Sequence, residues 1–323
     1  MIVSTLMERP GLIDVLRAQR RIQPYLAPTP LIHYPALDEI AGAKVLVKHE
    51  NLQPVGAFKV RGGINLVSQL TADERGRGVI AASTGNHGQS VAYAAQTFGV
   101  EARIVVPESA NPLKVASMRR LGAEVLFYGK DFDEARERAE QLSASRGYRY
   151  IHSGNEPMLL AGVGTITLEI LEIAPDVSTI IVPVGGGSGA SAACIVSKAI
   201  NPAISVIGVQ AEMAPAAYKS WKSKTIVQDK METSAEGLAT RVGFELPQQI
   251  LWDLLDDFLL VSEDEIARAI LLYVEKARTL AEGAGAAPLA ALLKMKERVP
   301  GETVALVLSG GNITLDQLRK AII

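Results

Sequence analysis

Short apolar runs alternate along this chain with stretches in which apolar residues return at helical spacing. The runs that we predict as strands are 44–48, 78–83, 102–106, 124–128, 179–184, 204–209 and 303–308. The predicted helices are 87–98, 112–121, 131–145, 161–173, 189–200, 214–221, 263–280 and 288–296, with a short terminal helix after Thr314. Strands separated by helices indicate parallel pairing, so the pattern predicts an α/β protein.

Two parts of the chain depart from this alternation. Residues 11–40 predict two helices joined by a proline-containing turn, and residues 222–258 predict mainly loop. Breaks near residues 76 and 150 predict two α/β layers, of which the stretch between the breaks forms the smaller.

The composition adds constraints on partners. The 323 residues are 48% hydrophobic and 21% charged, as in ordinary soluble globular proteins. A formal net charge of −2 and the lack of a Lys/Arg-rich run argue against a nucleic-acid partner.

The location is predicted to be cytoplasmic. The first ten residues have no cationic start followed by an apolar run, and no stretch reaches membrane-spanning length, so no membrane association is expected. Cys194 is the single cysteine, which excludes an internal disulfide, and its apolar helical setting predicts a buried, inert thiol.

Lys59 is the first candidate for chemistry. It follows a turn containing Pro54 and Gly56, stands near a predicted helix start, and is flanked by Phe58 and Val60. Partial burial and the positive end of the helix dipole both disfavour its ammonium form. A neutral lysine forms Schiff bases with carbonyl groups, so an aldehyde cofactor is one reading. A lysine that simply reaches solvent is the other.

A glycine run, Gly185-Gly186-Gly187-Ser188-Gly189, separates a predicted strand from a predicted helix. Backbone N–H groups in such a turn approach a ligand closely, which suits a phosphate at the helix N-terminus. The run also matches the dinucleotide pattern as Gly185, Gly187 and Ala190, with Glu212 as a ribose ligand. A purely structural tight turn is the third reading.

The segment Ser83-Thr84-Gly85-Asn86-His87 also joins a strand to a helix. Its hydroxyls, amide and free N–H groups suit a carboxylate, although simple helix capping explains the same residues. His87 is either a base or a packed, hydrogen-bonded side chain.

Two further segments follow predicted elements near the C-terminus. Ser309 ends the last strand, where open α/β sheets bind ligands. The small residues after Glu282 allow close approach and would let that carboxylate orient a substrate, although a plain turn fits as well. His33, His49 and His152 do not cluster at metal-ligand spacing, so no metal site is predicted.

Taken together, the motifs resemble those of the fold-type II pyridoxal-phosphate (PLP) enzymes in order and spacing. The motifs are Gly56–Gly62, Ser83–Gln89, Gly185–Gly189, Glu282–Ala286 and Ser309–Asn312. The chain is similar, over nearly its whole length, to the branch that contains threonine/serine dehydratases and serine racemase.

The resemblance implies a tryptophan synthase β-like fold with two parallel or mixed-sheet domains and PLP in the cleft between them. It implies a large PLP-binding domain, 1–75 with 150–323, a small mobile domain, 76–149, and a homodimer.

Residue by residue, the resemblance implies that Lys59 holds PLP as a Schiff base and serves as the general base. The other implied PLP contacts are Phe58, the glycines and serine of Gly185–Gly189, Asn86 at the ring hydroxyl, Glu282, and Ser309 at the pyridine nitrogen. The implied substrate contacts are Ser83, Thr84, Gly85, Asn86 and His87. A neutral serine at the ring nitrogen favours prompt loss of a β-substituent.

The implied reaction is β-elimination from a β-hydroxy amino acid, such as L-threonine, L-serine or phenylserine, giving a 2-oxo acid and ammonia. Racemisation or β-replacement on the same fold is the alternative, with Thr84 as the catalytic group on the second face. A nicotinamide-dependent oxidoreductase that uses Gly185, Gly187 and Glu212 is the alternative from another class.

Three departures from the branch matter. Thr84 stands where serine racemase has its second-face serine and where some threonine dehydratases have alanine. Gln210 and Ala216 stand where racemase-like members carry metal-binding carboxylates, so metal dependence is predicted to be lost. In the segment His152 to Pro157, Asn155 is shifted by one position, and the small Ser153 and Gly154 predict room for an aryl side chain.

Overall fold

The computed structural model describes residues 8–322. The predicted α/β class is confirmed: the described chain forms a six-stranded and a four-stranded sheet, both covered by helices. The expectation that the chain starts without a leader rests partly on residues 1–7, which lie outside the described residues.

Ten strands form the two sheets. They are β1 (Leu31–His33), β2 (Lys44–His49), β3 (Val79–Ala82), β4 (Ala102–Val106), β5 (Glu124–Phe127), β6 (Arg149–Tyr150), β7 (Thr179–Pro183), β8 (Ser205–Ala211), β9 (Asp257–Val261) and β10 (Thr303–Leu308). The large sheet has the order β1-β2-β10-β7-β8-β9 and the small sheet β5-β4-β3-β6. Every pairing is parallel except that of β1 with β2.

Fourteen α-helices accompany the strands within residues 8–322. They are α1 (Leu12–Ile22), α2 (Pro35–Ala41), α3 (Lys59–Val67), α4 (Ala72–Arg77), α5 (Asn86–Phe98), α6 (Pro112–Arg120), α7 (Phe132–Arg146), α8 (Pro157–Ile173), α9 (Ser188–Ile200), α10 (Ala216–Ser223), α11 (Glu245–Leu254), α12 (Glu263–Leu272), α13 (Gly283–Lys294) and α14 (Leu315–Ile322). None of these helices is long and apolar enough to cross a lipid bilayer.

The sequence pattern located most elements but missed several. The edge strand β1 was predicted as helix; it is only three residues long, too short to show alternation. The span predicted as loop contains α11 and the start of β9. Helix α13 begins at Gly283, five residues earlier than predicted, because Pro288 lies inside the helix and not at its start.

Helix α8 lies at the centre of the larger layer. Thirteen of its seventeen residues are buried, and it packs against α1, α3 and α9. Pro157 begins the helix at a position where the missing N–H costs nothing. The helix therefore connects the segment after β6 to the helices that begin at Lys59 and Ser188.

A buried cluster of four charged side chains joins α3, α8 and β2. The guanidinium of Arg61 forms two hydrogen bonds to Glu50, both 2.8 Å, and two to Glu169, of 2.6 and 2.8 Å. Lys48 Nζ donates to Glu169 and to the carbonyl of Thr29, at 2.5 and 2.6 Å. Two cations face two carboxylates, so the buried cluster has no net charge.

The charges in the cluster depend on one another. Burial by itself would raise the pKa of Glu50, but the Arg61 guanidinium outweighs it and holds that pKa below its usual range. Arg61 is about 1% exposed and Glu50 is fully buried, so removing either partner leaves an unpaired charge away from water. The cluster thus fixes the start of α3 against α8.

We expect Glu169→Gln to lower the free energy of unfolding by about 3–5 kcal/mol, because Lys48 and Arg61 would then share one buried carboxylate. Urea unfolding of the cofactor-free protein measures the loss. The control is Asp253→Asn, which removes an exposed ion pair with Arg9 and should cost less than about 1 kcal/mol. Equal losses in the two variants would show that the buried cluster does not stabilise the fold.

Candidate active site

The segment before Lys59 is paired with the end of β10. Phe58 N donates to Ser309 O at 3.0 Å, and Ala57 forms an isolated bridge with Gly310. Gly311 N donates to Gly56 O at 2.9 Å. Because parallel strands present their carboxyl ends at one edge, this pairing places Lys59 beside the loops after β7 and β10.

Lys59 is the first residue of α3, as the sequence predicted. Its Nζ donates to Ser188 Oγ at 2.7 Å and to the carbonyl of Ser153 at 3.0 Å, and it lies 5.1 Å from the centre of the Phe58 ring. Burial lowers the pKa of Lys59 to about 8. A useful fraction of the amine is therefore neutral near neutral pH, as Schiff-base chemistry requires.

The glycine run is packed so closely that side chains would not fit. A Cβ on Gly185 would lie 2.2 Å from the carbonyl oxygen of Gly237, and a Cβ on Gly186 would lie 2.2 Å from the Phe244 ring. Helix α9 begins at Ser188, within the run and directly after Gly187, so its first N–H groups are free for an anion. The Lys59–Ser188 bond places the amine at the same helix start.

These groups together fit PLP. The Lys59 amine, with its lowered pKa, suits its aldehyde, the glycine-rich helix start suits its phosphate, and the Phe58 ring next to the amine suits a flat aromatic ring.

A chain of three polar side chains lies beside the paired segments before Lys59 and after β10. Asn86 Nδ2 donates to Glu282 Oε1 at 2.7 Å, and Asn312 Nδ2 donates to Asn86 Oδ1 at 2.8 Å. Burial raises the pKa of Glu282 to about 7, although the bond from Asn86 opposes that rise. The carboxyl therefore changes its charge close to neutral pH. The sequence motif Ser309–Asn312 assigns no role to Asn312.

The loop between β3 and α5 offers backbone donors. Gly85 N donates to Ser83 Oγ at 3.2 Å, and the first N–H groups of α5 lack partners within the helix. Within residues 8–322, the Thr84 hydroxyl forms no hydrogen bond. His87 is a packed histidine: its Nε2 bonds the carbonyl of Ile151 at 3.0 Å, and burial lowers its pKa to about 3.

Several contacts of the site could not be read from the sequence. Ser153 contributes its carbonyl, which carries no signal in a residue pattern. Phe244 fills the space beside both Gly186 and Gly154, so the room predicted at Gly154 is occupied by that ring. Asn155 Oδ1 accepts from Leu246 N at 3.1 Å and thereby caps the start of α11.

The structure shows protein partners for Gln210, which stands at an apparent metal position, and for Glu212, the candidate ribose ligand. The buried Gln210 amide accepts from Tyr218 N at 3.0 Å and donates to Thr240 Oγ1 at 3.4 Å. Glu212 forms an exposed ion pair with Lys294, 3.2 Å long. Across residues 8–322 no group of three or more His, Cys, Asp or Glu side chains is arranged to hold a metal ion.

Comparisons with known proteins agree with this geometry. A family model described as "Pyridoxal-phosphate dependent enzyme" matches residues 22–310. The chain is 42% identical over 310 residues to "L-threonine ammonia-lyase" of Thermotoga maritima, covering 96% of this chain and 77% of that protein. It is 37% identical to "L-threonine dehydratase catabolic TdcB" of Staphylococcus aureus, covering 96% of this chain and 91% of that one.

Solved structures give the same result. Maize serine racemase superimposes with a TM-score of 0.91 at 30% identity, covering 98% of this chain and 97% of its own. A threonine deaminase whose source is abbreviated T.th. superimposes with a TM-score of 0.89 at 38% identity, covering 95% and 99%. Likeness of this extent, on a site suited to the cofactor, shows that the chain belongs to the fold-type II pyridoxal-phosphate-dependent enzymes.

Proposed function

We propose that the protein is a PLP-dependent ammonia-lyase that eliminates the hydroxyl group of a β-hydroxy amino acid, giving a 2-oxo acid and ammonia. One observation carries the proposal: the Lys59 amine, with its pKa lowered to about 8, is hydrogen-bonded at the start of the glycine-loop helix. The relatives named for threonine deamination support the choice of reaction.

PLP, when bound, supplies an aldehyde and an electron sink for the bond electrons released at Cα. In our proposal Lys59 binds it, Gly185–Gly189 hold its phosphate, Phe58 lies against its ring, and Asn86 and Ser309 contact its polar ring atoms. Glu282 orients Asn86 through their 2.7 Å bond.

Side chains and backbone groups near the substrate bind its carboxylate and remove its Cα proton. We propose that the free N–H groups of the segment Ser83–His87 hold the substrate carboxylate. Lys59 Nζ removes the Cα proton, and the carbonyl of Ser153 and the hydroxyl of Ser188 orient the amine for this step. Thr84 lies in the same loop and is our candidate for a group on the second face of the substrate.

L-Threonine and L-serine are the first proposed substrates, and phenylserine is the aryl candidate. The names of the relatives support threonine. For phenylserine the support is the aromatic surface of His152 and Phe244, whose rings meet edge to face at 4.8 Å. Because Phe244 occupies the space at Gly154, any added room must come from the side of Ser153.

We propose that no divalent metal is needed. The Gln210 amide is bonded to Thr240, whose hydroxyl donates to the carbonyl of Gly185 at 3.2 Å. A neutral amide thus connects β8 to the glycine run at the position where the resemblance implies a metal-binding carboxylate in racemase-like members.

We also propose the domain organisation and the location. The domain boundaries are 1–75 with 150–323 and 76–149, and the smaller domain moves over the cleft. The separate sheet of β3–β6 supports this division. An ion pair between Lys114 of α6 and Glu236 of the large layer crosses the proposed boundary. The proposed location is the cytoplasm, for which the support is the free, buried thiol of Cys194.

We expect Lys59→Ala to abolish release of ammonia and 2-oxo acid, by about 10³-fold or more, since the variant loses both the Schiff-base amine and the base. The assay compares L-threonine, L-serine and phenylserine, with and without EDTA. Lys44→Ala, at an exposed lysine on β2, is the control and should keep full activity. Undiminished turnover in the Lys59 variant would refute the assignment. A PLP-loaded wild type without turnover would favour racemisation or replacement.

We expect Glu282→Gln to change how stability depends on pH. In the folded protein Glu282 keeps its proton up to about pH 7, whereas in the unfolded chain it loses it near 4.5. Unfolding therefore releases a proton in this range, and wild-type stability falls as pH rises from 4.5 to 7, by up to about 3 kcal/mol. The glutamine variant lacks this loss.

Urea unfolding of the cofactor-free proteins at pH 4.5 and pH 8 measures the difference between wild type and Glu282→Gln. Glu137→Gln, at an exposed glutamate on α7, is the control and should follow the wild type. Parallel pH dependence of the wild type and Glu282→Gln would contradict a raised pKa at this carboxyl.

We propose that the protein is a homodimer, and we expect Leu52→Glu to shift it towards the monomer. The Leu52 side chain is 59% exposed and that of Leu280 49%. Asn51 Nδ2 donates to the carbonyl of Leu280 at 3.1 Å, which joins the two chain segments that carry these exposed leucines. Sedimentation velocity tests this, with Leu113→Glu, at an exposed leucine on α6, as the control. A Leu52 variant that still sediments as a dimer would place the interface elsewhere.

A further inference from the structure

One peptide unit connects His152 to Lys59. Lys59 Nζ donates to the carbonyl of Ser153 at 3.0 Å, and Gly154 N donates to His152 Nδ1 at 3.0 Å. This carbonyl and this N–H belong to the same peptide group. The imidazole is therefore bonded at one end of the peptide and the lysine amine at the other.

The hydrogen bonds settle the tautomer of His152. Nδ1 accepts a second N–H, from Asn155 at 2.9 Å, so it carries no proton, and the proton of the neutral ring is on Nε2. Burial, assisted by the positive charges of Lys59 and Arg136, lowers the pKa of His152 to about 4. The ring is accordingly neutral, with Nδ1 free to accept, throughout the usual assay range.

The ring is held from other sides as well. It meets Phe244 edge to face with 4.8 Å between ring centres, and Tyr150 at 6.3 Å. Phe244 also fills the space next to Gly154, where a Cβ would come within 2.6 Å of the phenyl ring. Imidazole, peptide and phenyl ring therefore fix one another, and the Ser153 carbonyl has little freedom to turn away.

We propose that His152 is a positioning residue that orients the Ser153 carbonyl towards the Lys59 amine through the Ser153–Gly154 peptide. The proposal rests on the proposed function, in which Lys59 takes up a proton from Cα. An N–H that is hydrogen-bonded makes its own carbonyl a better acceptor, so the imidazole strengthens the bond to Lys59. The carbonyl then stabilises the protonated amine and keeps Nζ pointing at one place.

Among residues 8–322, the ionisable groups that interact with Lys59 are the two histidines, His87 and His152, and the pKa of each lies well below neutrality. The pKa of Lys59 itself is lowered by burial. Stabilisation of the ammonium form therefore comes from neutral acceptors, the carbonyl of Ser153 and the hydroxyl of Ser188. Loss of the oriented carbonyl should lower the pKa of Lys59 still more.

The test compares His152→Asn with His152→Leu. The two replacements have nearly the same shape and both remove the ring, but only asparagine places an acceptor near the position of Nδ1. The first measurement uses cofactor-free protein: acetylation of Lys59 by acetic anhydride is followed by mass spectrometry as a function of pH. The second is kcat and KM of the PLP-loaded enzyme with L-threonine.

The labelling midpoint is the pH at which acetylation of Lys59 is half maximal. We expect His152→Asn to have the same midpoint as the wild type. In His152→Leu the midpoint should be lower by roughly half a pH unit or more. The kcat of His152→Leu should fall about tenfold or more, with KM within about threefold, because the amine is misplaced but carboxylate binding is not. If His152→Leu does not fold, His152→Phe replaces it, since phenylalanine keeps a ring against Phe244 without an acceptor.

Equal labelling midpoints in the asparagine and leucine variants would overturn the proposal, as would equal losses of kcat, which would assign to the ring a packing role only. These outcomes differ from those expected if the proposed function is wrong. The labelling of Lys59 needs neither PLP nor turnover, so it tests the peptide connection even in an enzyme that does not eliminate the hydroxyl.

Discussion

The pairing of Arg61 with Glu50 and Glu169 is the interaction on which the position of Lys59 depends. Arg61 lies two residues after Lys59, in the first turn of the same helix, and its guanidinium bonds two carboxylates from two other segments. Buried charges of this kind are weak evidence for stability compared with an apolar core, but they tolerate few alternative arrangements. The first turn of α3 therefore has one orientation relative to α8 and β2, and this orientation determines where Lys59 lies.

Lys59 is prepared for chemistry by burial and by neutral acceptors, with no carboxylate directly bonded to it among the described residues. A carboxylate partner would stabilise the ammonium form and leave less neutral amine for reaction with an aldehyde. Two helix starts add positive potential near it, at Asn86 and Ser188. The same surroundings that lower the lysine pKa favour the binding of anionic groups, a phosphate and a carboxylate.

The sequence predicted the start of α3 at Lys59, the strand–glycine–helix unit and the alternating order of the layers, because each depends on local spacing. It missed α11 and β9, which follow a polar, irregular stretch at 222–237, and it missed β1 because that strand is so short. It could not show that Ser153 contributes a backbone oxygen or that Phe244 fills the space at Gly154, since both follow from long-range packing. The assigned roles of the site residues stay predictions.

Phe244 touches two glycines from different parts of the chain, Gly154 before α8 and Gly186 before α9. A Cβ at either position would overlap the phenyl ring, at 2.6 and 2.2 Å respectively, so a larger residue at 154 or 186 requires a smaller one at 244. The three positions are thus sterically coupled. A larger side chain at either glycine fits only after Phe244 is replaced by a smaller residue. A single substitution at one of these positions therefore lowers stability until the second follows, and the three sites should covary among related sequences.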